Sequence, residues 1–366
     1  MSNLILDISK FKRDRAFYPA LNLLVTIKSF DLQAIRKRYL ASRKKGDGKA
    51  GSVARRAPSI GGIARLKIDQ GELSEEEVLV KMKEPRGIDI NPKCVAVAAE
   101  DCVYILHKDG RVKTISEPWF SYIHTVQLSM HDPDRILISS SGFDIFFEYD
   151  VKTGEKYFEW LSWEHGFNKA NDPETGNTFT LTRDKEVKGD NVVLISDPPK
   201  APIPTAKRAA FINSVSYHSA KPDVFLATFF HEGAVYSIDR KGRATLVLEN
   251  LKNPHGGRDY KSGYMATSTA SGQIIMKEAE QSTELDFSNL KGKPDSLKDM
   301  EWIQNAIYTE GLIIAIDSNR TALIIINQEM KLYDTIPYDP EWAIQDLVIA
   351  DNKDFDAAIK SLAVDS

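Results

Sequence analysis

The sequence predicts an all-β fold, a seven-bladed β-propeller, with a six-bladed ring as the alternative. Three observations lead there. The first is a unit of four short apolar segments that recurs about every 40 residues. Its clearest copy runs Asn213-Ser-Val-Ser-Tyr, Val224-Phe-Leu-Ala-Thr-Phe, Ala234-Val-Tyr-Ser-Ile-Asp239 and Ala244-Thr-Leu-Val-Leu, with polar turns between. The second is an earlier copy, His124-Thr-Val-Gln-Leu, Ile136-Leu-Ile-Ser-Ser-Ser, Ile145-Phe-Phe-Glu-Tyr-Asp150 and Thr153-Gly-Glu-Lys. The third is a complementarity of ends. The strands that begin at Ile60 have no inner strand before them, and Gln345-Asp-Leu-Val-Ile-Ala reads as an inner strand with no blade after it. The C-terminal strand is therefore expected to complete the blade that the N-terminal strands begin, which closes the ring and hides its edges.

Residues 1–59 fall outside the repeat and read as a helical and basic extension. Asp31 suits an N-cap, and Leu32, Ile35, Tyr39 and Leu40 come after it at helical spacing, as expected of an amphipathic helix packed on the propeller. Between Arg36 and Arg56 stand nine basic residues and one acid, Asp47, with several Gly, Ser and Ala. That composition suits a solvated tether, or a contact with phosphate or anionic lipid. Aromatics do not alternate with the bases, so nucleic acid is not an expected partner. A protein partner or self-association through this extension stays open. Residues 60–351 form the propeller and 352–366 a helix-like tail.

The third copy is the weakest. Its strands, 178–182 and 192–196, are parted by charged loops, and Pro198-Pro-Lys-Ala-Pro-Ile-Pro breaks the pattern immediately after them. Counting it gives seven inner-strand starts; treating it as an insertion gives six.

No apolar run approaches the roughly 18 residues of a membrane span, and Leu4-Ile-Leu leads at once into Asp7, Lys10, Lys12 and Arg13, unlike a signal peptide. The expected location is cytoplasmic. The two cysteines agree with it. A two-residue turn at Glu100-Asp101 pairs Ala99 with Cys102 and sets Cys94 opposite His107, so the thiols do not face each other.

A propeller brings the start of every repeat to one axis, and here every start is polar: Arg86, His124, Glu164-His165, Asn213, His255, Gln304-Asn305 and Gln345-Asp346. Such a ring is either a wet channel wall or a ligand pocket. The tryptophans bear on the choice. Trp119, Trp160, Trp163, Trp302 and Trp342 all lie shortly before a start, where they either rim the pocket or wedge between blades. On the pocket reading, Asn213, Gln304, Asn305, Gln345, Asp346, Trp119, Trp163, Trp302 and Trp342 bind the ligand. His124 and His255 form an acid/base pair, with His165 and Glu164 as further candidates, and Arg86 clamps a carboxylate or enolate. The same ring could hold one divalent metal. Three histidines suit zinc or iron, and Glu164, Asn213, Asn305 and Asp346 suit calcium. No phosphate loop or nucleophile elbow is present.

The repeat, with Asn253-Pro-His-Gly256 opening an inner strand and Val235-Tyr-Ser-Ile-Asp-Arg-Lys-Gly242 further out, resembles the clan of NHL-repeat, gluconolactonase-like, strictosidine-synthase-like and streptogramin B lyase propellers over roughly 60–350. The gluconolactonase-like resemblance implies a divalent metal on Glu164, Asn213, Asn305 and Asp346. The lyase resemblance implies elimination with His255 and Glu164. The functional expectation is a small-molecule enzyme performing cyclisation, elimination, isomerisation or hydrolysis on an aromatic or amphipathic metabolite at the central funnel. The alternative is a non-catalytic scaffold for a peptide or protein.

Overall fold

The computed structural model describes residues 2–44, 57–201 and 203–362. It is a β-propeller whose inner strands close a ring of six. Blade 1 holds Ile88–Ile90, Cys94–Ala98, Cys102–His107 and Val112–Ser116. Blade 2 holds Ile123–Leu128, Arg135–Ser140, Ile145–Asp150 and Lys156–Leu161, and blade 3 holds Ile212–His218, Lys221–Phe229, Ala234–Asp239 and Ala244–Leu248. Blade 4 is built from His255–Tyr260, Gly263–Ser268, Gln273–Glu278 and Gln281–Asp286, and blade 5 from Ile303–Thr309, Leu312–Asp317, Ala322–Asn327 and Leu332–Pro337. Blade 6 is composite: Ile344–Ile349 pairs with Leu21–Ile27, which pairs with Ile60–Asp69, which pairs with Glu72–Lys83.

The strand patterns explain the layering. Leu312–Asp317 and Ala322–Asn327 are almost continuously apolar because neighbouring blades cover both of their faces. Outer strands such as Val112–Ser116 are largely exposed and mix polar with apolar residues.

Two expectations are corrected here. The third copy is not a blade. Lys169–Asn171, Thr178–Thr182 and Val192–Leu194 form a small sheet off the ring, and the inner strand of blade 2 packs directly on that of blade 3. Val215 N donates to Thr125 Oγ1 at 3.1 Å and Tyr217 N to Gln127 Oε1 at 2.6 Å across that boundary. The segment fails as a blade because Glu164–Ala170 offers no apolar run to bury against two neighbours.

The propeller also begins well before residue 60. Leu21–Ile27 is the second strand of blade 6, and Ser2–Asp7 and Lys12–Arg13 add in parallel to the outer edges of blades 4 and 5. Ring closure by the C-terminal strand is as expected, with Leu21–Ile27 interposed. Helix α1 (Leu32–Lys44) leaves blade 6 and lies on the face where inner strands start. Asp31 caps it, accepting from Ala34 N at 2.8 Å, and Arg36 donates to Ser318 O at 2.6 Å. Most of the basic segment, residues 45–56, lies outside the described residues.

Helix α2 (Asp356–Lys360) ends the described chain. The Arg65 guanidinium, 1 % exposed, holds the Asp356 carboxylate and the carbonyls of Ala350 and Asn352. Cys94 stands opposite His107 as expected, and both cysteines are free thiols. Among the described residues no helix is long and apolar enough to cross a membrane.

Candidate functional site at the axial mouth

A repeated backbone device aims the start residues inward. The ladder slips between Ile123 and Val126, Ile212 and Ser214, Ile303 and Asn305, and Ile344 and Asp346. Each slip is a bulge that frees a start residue (His124, Asn213, Gln304, Gln345) from regular pairing and re-aims it. Amides at or just beyond these bulges find other acceptors. Thr125 N donates to Ser139 Oγ at 2.8 Å, and Leu347 N to Asp346 Oδ1 at 2.9 Å. In blade 4 the slip falls between His255 and Arg258, across two glycines. A Cβ on Gly256 would stand 2.1 Å from Asn305 Oδ1, and one on Gly257 2.5 Å from Thr228 Oγ1, so glycine permits this close approach. Two residues before four of the starts, Glu84, Tyr122, Phe211 and Asn253 adopt φ of 41°, 51°, 52° and 52°. A non-glycine residue pays roughly 1–2 kcal/mol for that left-handed conformation, so the turn is imposed by the ring.

The device gathers a buried polar cluster. Arg86 donates to Glu84 Oε1 at 2.6 Å and to His124 Nδ1 at 3.2 Å. A guanidinium can only donate, so Nδ1 of His124 is the acceptor and its proton sits on Nε2. The Gln345 amide lies 3.1 Å from Nε2. Two donors cannot share one bond, so the amide oxygen faces the ring; in the opposite orientation Oε1 is buried without a partner. The Gln345 NH2 group then turns away from His124. The His124 and His255 rings lie 5.8 Å apart. His255 Nδ1 is 2.9 Å from Thr269 Oγ1, and the Trp302 ring lies 6.1 Å from the imidazole. Trp302 in turn packs at 4.6 Å on Tyr39 of α1.

The charges that act on the two imidazoles are cations. Burial, then the charges of Arg86, of His255 were it protonated, and of Lys28 and Arg208, hold His124 well below the ordinary imidazole range. Burial, with Lys28 and Arg86, drives His255 down to about 3. Both rings are neutral at physiological pH. Arg208, pulled down to about 10 by burial, stacks on Tyr122 at 4.8 Å, and Arg86 lies 4.9 Å from the same ring. Carboxylates accompany these cations: Glu84 is bonded to Arg86, and Asp144 and Glu100 act on Arg208, so the mouth sets buried, paired charges around two neutral imidazoles.

The remaining expected residues divide. Gln304 accepts from Trp302 Nε1 at 2.8 Å at the edge of the cluster. Asn213 is fully buried, with Nδ2 on Pro254 O at 2.7 Å and Oδ1 unpartnered among the described residues. Asn305 donates to Asp346 Oδ1 at 2.8 Å, one position further along the axis. Glu164 and His165 are not at the axis. Glu164 sits in a short 3₁₀ turn and pairs with Arg183 at 2.6 Å, and His165 is exposed and stacks on Trp160 at 5.0 Å. Trp119 and Trp163 pack on each other and on blade 2, and Trp342 is buried near Phe30 in the core. Those three are packing anchors, and only Trp302 borders the mouth.

Neither expected metal shell assembles. Glu164 is off the ring, the Asn213 amide nitrogen is held by a carbonyl, and a guanidinium faces His124. Among the described residues no three His, Cys, Asp or Glu side chains gather as metal ligands.

Glu84, Lys28, Tyr122, Phe211 and Arg208 belong to the mouth but were not expected there. A periodic signal existed for three of them: Glu84, Tyr122 and Phe211 each stand two residues before a start. Lys28 and Arg208 arrive from outside the repeat register and leave no such trace.

No family model matches this chain, and no curated protein matches it in sequence. Solved structures do match. A chain of the nidogen/laminin complex aligns over 89 % of this chain and 97 % of its own, with 10 % identity and a TM-score of 0.52. A Bacteroides caccae protein of unknown function aligns over 90 % and 98 %, with 12 % identity and a TM-score of 0.52. Virginiamycin B lyase from Staphylococcus aureus covers 70 % of this chain and 84 % of its own at 11 % identity, with a TM-score of 0.42. At these identities the first two likenesses are of fold alone, and they agree with the β-propeller built above.

Proposed function

We propose that the protein binds a small anionic metabolite with an aromatic or amphipathic body at the axial mouth and acts on it by proton transfer. The carrying observation is the buried Glu84–Arg86–His124–Gln345 chain standing beside His255 and Lys28. In this reading Arg86 and Lys28 attract the anionic group, and Trp302 with Phe211 flanks the ligand body. His124, its Nδ1 held by Arg86, carries its proton on Nε2, donated to Gln345 at rest and to the ligand once Gln345 gives way. His255 is the base, acting in the tautomer whose Nδ1–H donates to Thr269 and whose Nε2 keeps its lone pair. A base at about 3 is weak at rest. Neutralising Lys28 and Arg86 with the ligand's own charge removes part of what depresses it, so ligand binding raises the basicity of His255. Proton transfer of this kind is common to elimination, isomerisation, cyclisation and hydrolysis.

The second reading is a non-catalytic propeller that binds a peptide or protein. Its support is that His124 and His255 are only 5 % and 6 % exposed, so a ligand reaches them only if covering side chains move. A thermal-shift screen of carboxylate and phosphate metabolites, with turnover assays of the hits, separates the two. The enzyme reading expects stabilising anions whose effect and turnover vanish in His255→Ala and His124→Ala proteins with unchanged circular dichroism. Turnover retained in both variants rejects the assignment.

A further inference from the structure

Beneath the mouth, from one residue beyond the start positions to the far ends of the inner strands, the axis holds a cavity of about 280 Å³ that opens to solvent. Three titratable side chains line it: Asp89 from blade 1, Arg258 from blade 4 and Asp346 from blade 6. Blades 2, 3 and 5 contribute Thr125, Gln127, Ser214, Ser216 and Thr309, none of which titrates, together with aliphatic wall from residues such as Val126, Val215 and Ile307. Arg258 does not close an ion pair with either carboxylate. Its Nε donates to Gly256 O at 3.1 Å, and its Nη2 lies 3.4 Å from Asn305 Oδ1. Asp346 accepts from Asn305 Nδ2 at 2.8 Å and Leu347 N at 2.9 Å, and Asp89 accepts from Leu128 N at 2.7 Å.

We propose that this cavity is a binding site for a small primary ammonium ion with a short aliphatic body, held by Asp89 and Asp346. Charge is the first argument. Once both are ionised, two carboxylates and one guanidinium leave a single negative charge, which a monocation balances. Size is the second. The volume is that of a small organic molecule. A calcium ion would need six to eight oxygen ligands at about 2.3–2.6 Å, and no gathered ligand set exists among the described residues. An ammonium needs only a few acceptors at about 2.8 Å, and the aliphatic wall receives its carbon chain. The carboxyls agree. Burial, with the charge of Asp346 adding to it, lifts Asp89 to about 7, and burial lifts Asp346 to about 6. Both are poised to ionise when a cation enters, so binding releases protons near neutral pH.

The test is calorimetric titration of the full chain with n-butylammonium, with n-butanol, tetramethylammonium and sodium as comparisons. One saturable site for n-butylammonium is expected near pH 8. It should weaken as pH falls to about 5.5, and near pH 6.5 its heat should depend on buffer ionisation in the sense of proton release. Asp89→Asn should weaken binding by about tenfold or more while leaving anion binding at the mouth intact. Absence of saturable binding, equal binding of n-butanol or tetramethylammonium, displacement by equimolar sodium, or full affinity in Asp89→Asn overturns the proposal. If Asp89→Asn does not fold, the wild-type pH series decides, since an affinity unchanged between those two pH values also overturns it.

Discussion

Replacing His255 with Asn should change how stability depends on pH by an amount set by burial alone. The folded imidazole is driven down to about 3 by desolvation and by the charges of Lys28 and Arg86. An unfolded histidine takes a proton below about pH 6.5. Between those two values the unfolded chain binds a proton that the folded chain refuses, so stability is lost as pH falls through 6.5. At about pH 5 the loss is roughly 1.5 units at 1.36 kcal/mol each, or about 2 kcal/mol. That figure depends on the unfolded value and the pH, and hardly on whether the folded value is three or four. The wild-type profile alone does not reveal it. Asp89 and Asp346 are raised to about 7 and about 6, so the folded chain holds protons that the unfolded chain releases, and they add stability as pH falls. Their contribution and that of His124 are present in both proteins and cancel in the difference. Asn keeps a donor toward Thr269 and does not titrate. The assay is urea unfolding of both proteins at about pH 7.5 and about pH 5. The variant's deficit at the higher pH should shrink by about 2 kcal/mol at the lower. A deficit constant to within about 0.5 kcal/mol would mean that His255 titrates like a solvated imidazole, and the buried setting assigned to it would be wrong.

Three further predictions concern the frame that holds the mouth. Arg65→Met strands the Asp356 carboxylate and two carbonyls that the guanidinium satisfies; a loss of about 3–5 kcal/mol is expected, with earlier proteolysis at α2 than elsewhere. Gly61→Ala would set a Cβ 1.9 Å from Ile27 O, a backbone atom that cannot swing aside; the melting temperature should fall by an amount matching about 1–3 kcal/mol, and an unchanged value would refute the close approach of Ile60–Asp69 to Leu21–Ile27. Deleting residues 1–7 uncovers the edge of Gln281–Asp286; light scattering should then show concentration-dependent self-association beyond any that the full chain shows.

The legible and the illegible parts of the sequence separate along a physical line. The strands and the polar starts are legible because burial between blades forces apolar runs at a fixed period, and a polar residue at the head of such a run stands out. His124, His255, Gln345 and Arg86 emerge that way. The two departures share one cause. Leu21–Ile27 reads as part of an extension because it joins blade 6 through pairing with Ile344–Ile349, more than three hundred residues away, and with Ile60–Asp69 across α1. The 164–196 segment reads as a blade because spacing alone does not say whether an inner strand can be buried on both sides. In each case the deciding fact is a lateral contact, which no local pattern encodes.

The same distinction governs the chemistry. A start residue's position is periodic, but its proton is not. Arg86 at 3.2 Å from Nδ1 turns His124 into a fixed Nε2 donor, and Lys28, from just beyond a strand outside the repeat, helps hold His255 unprotonated. The two histidines are therefore not interchangeable members of an acid/base pair. One is locked by a cation bonded to its ring, whereas the other feels its cations only through space. An incoming anion acts on them unequally, drawing Arg86 away from His124 while restoring basicity to His255. Burial still keeps His255 unprotonated near neutral pH, so a ligand that binds the mouth should exchange few protons there, unlike the release expected at Asp89 and Asp346. A buffer-dependent heat near pH 6.5 thus tells which of the two axial sites a given compound occupies.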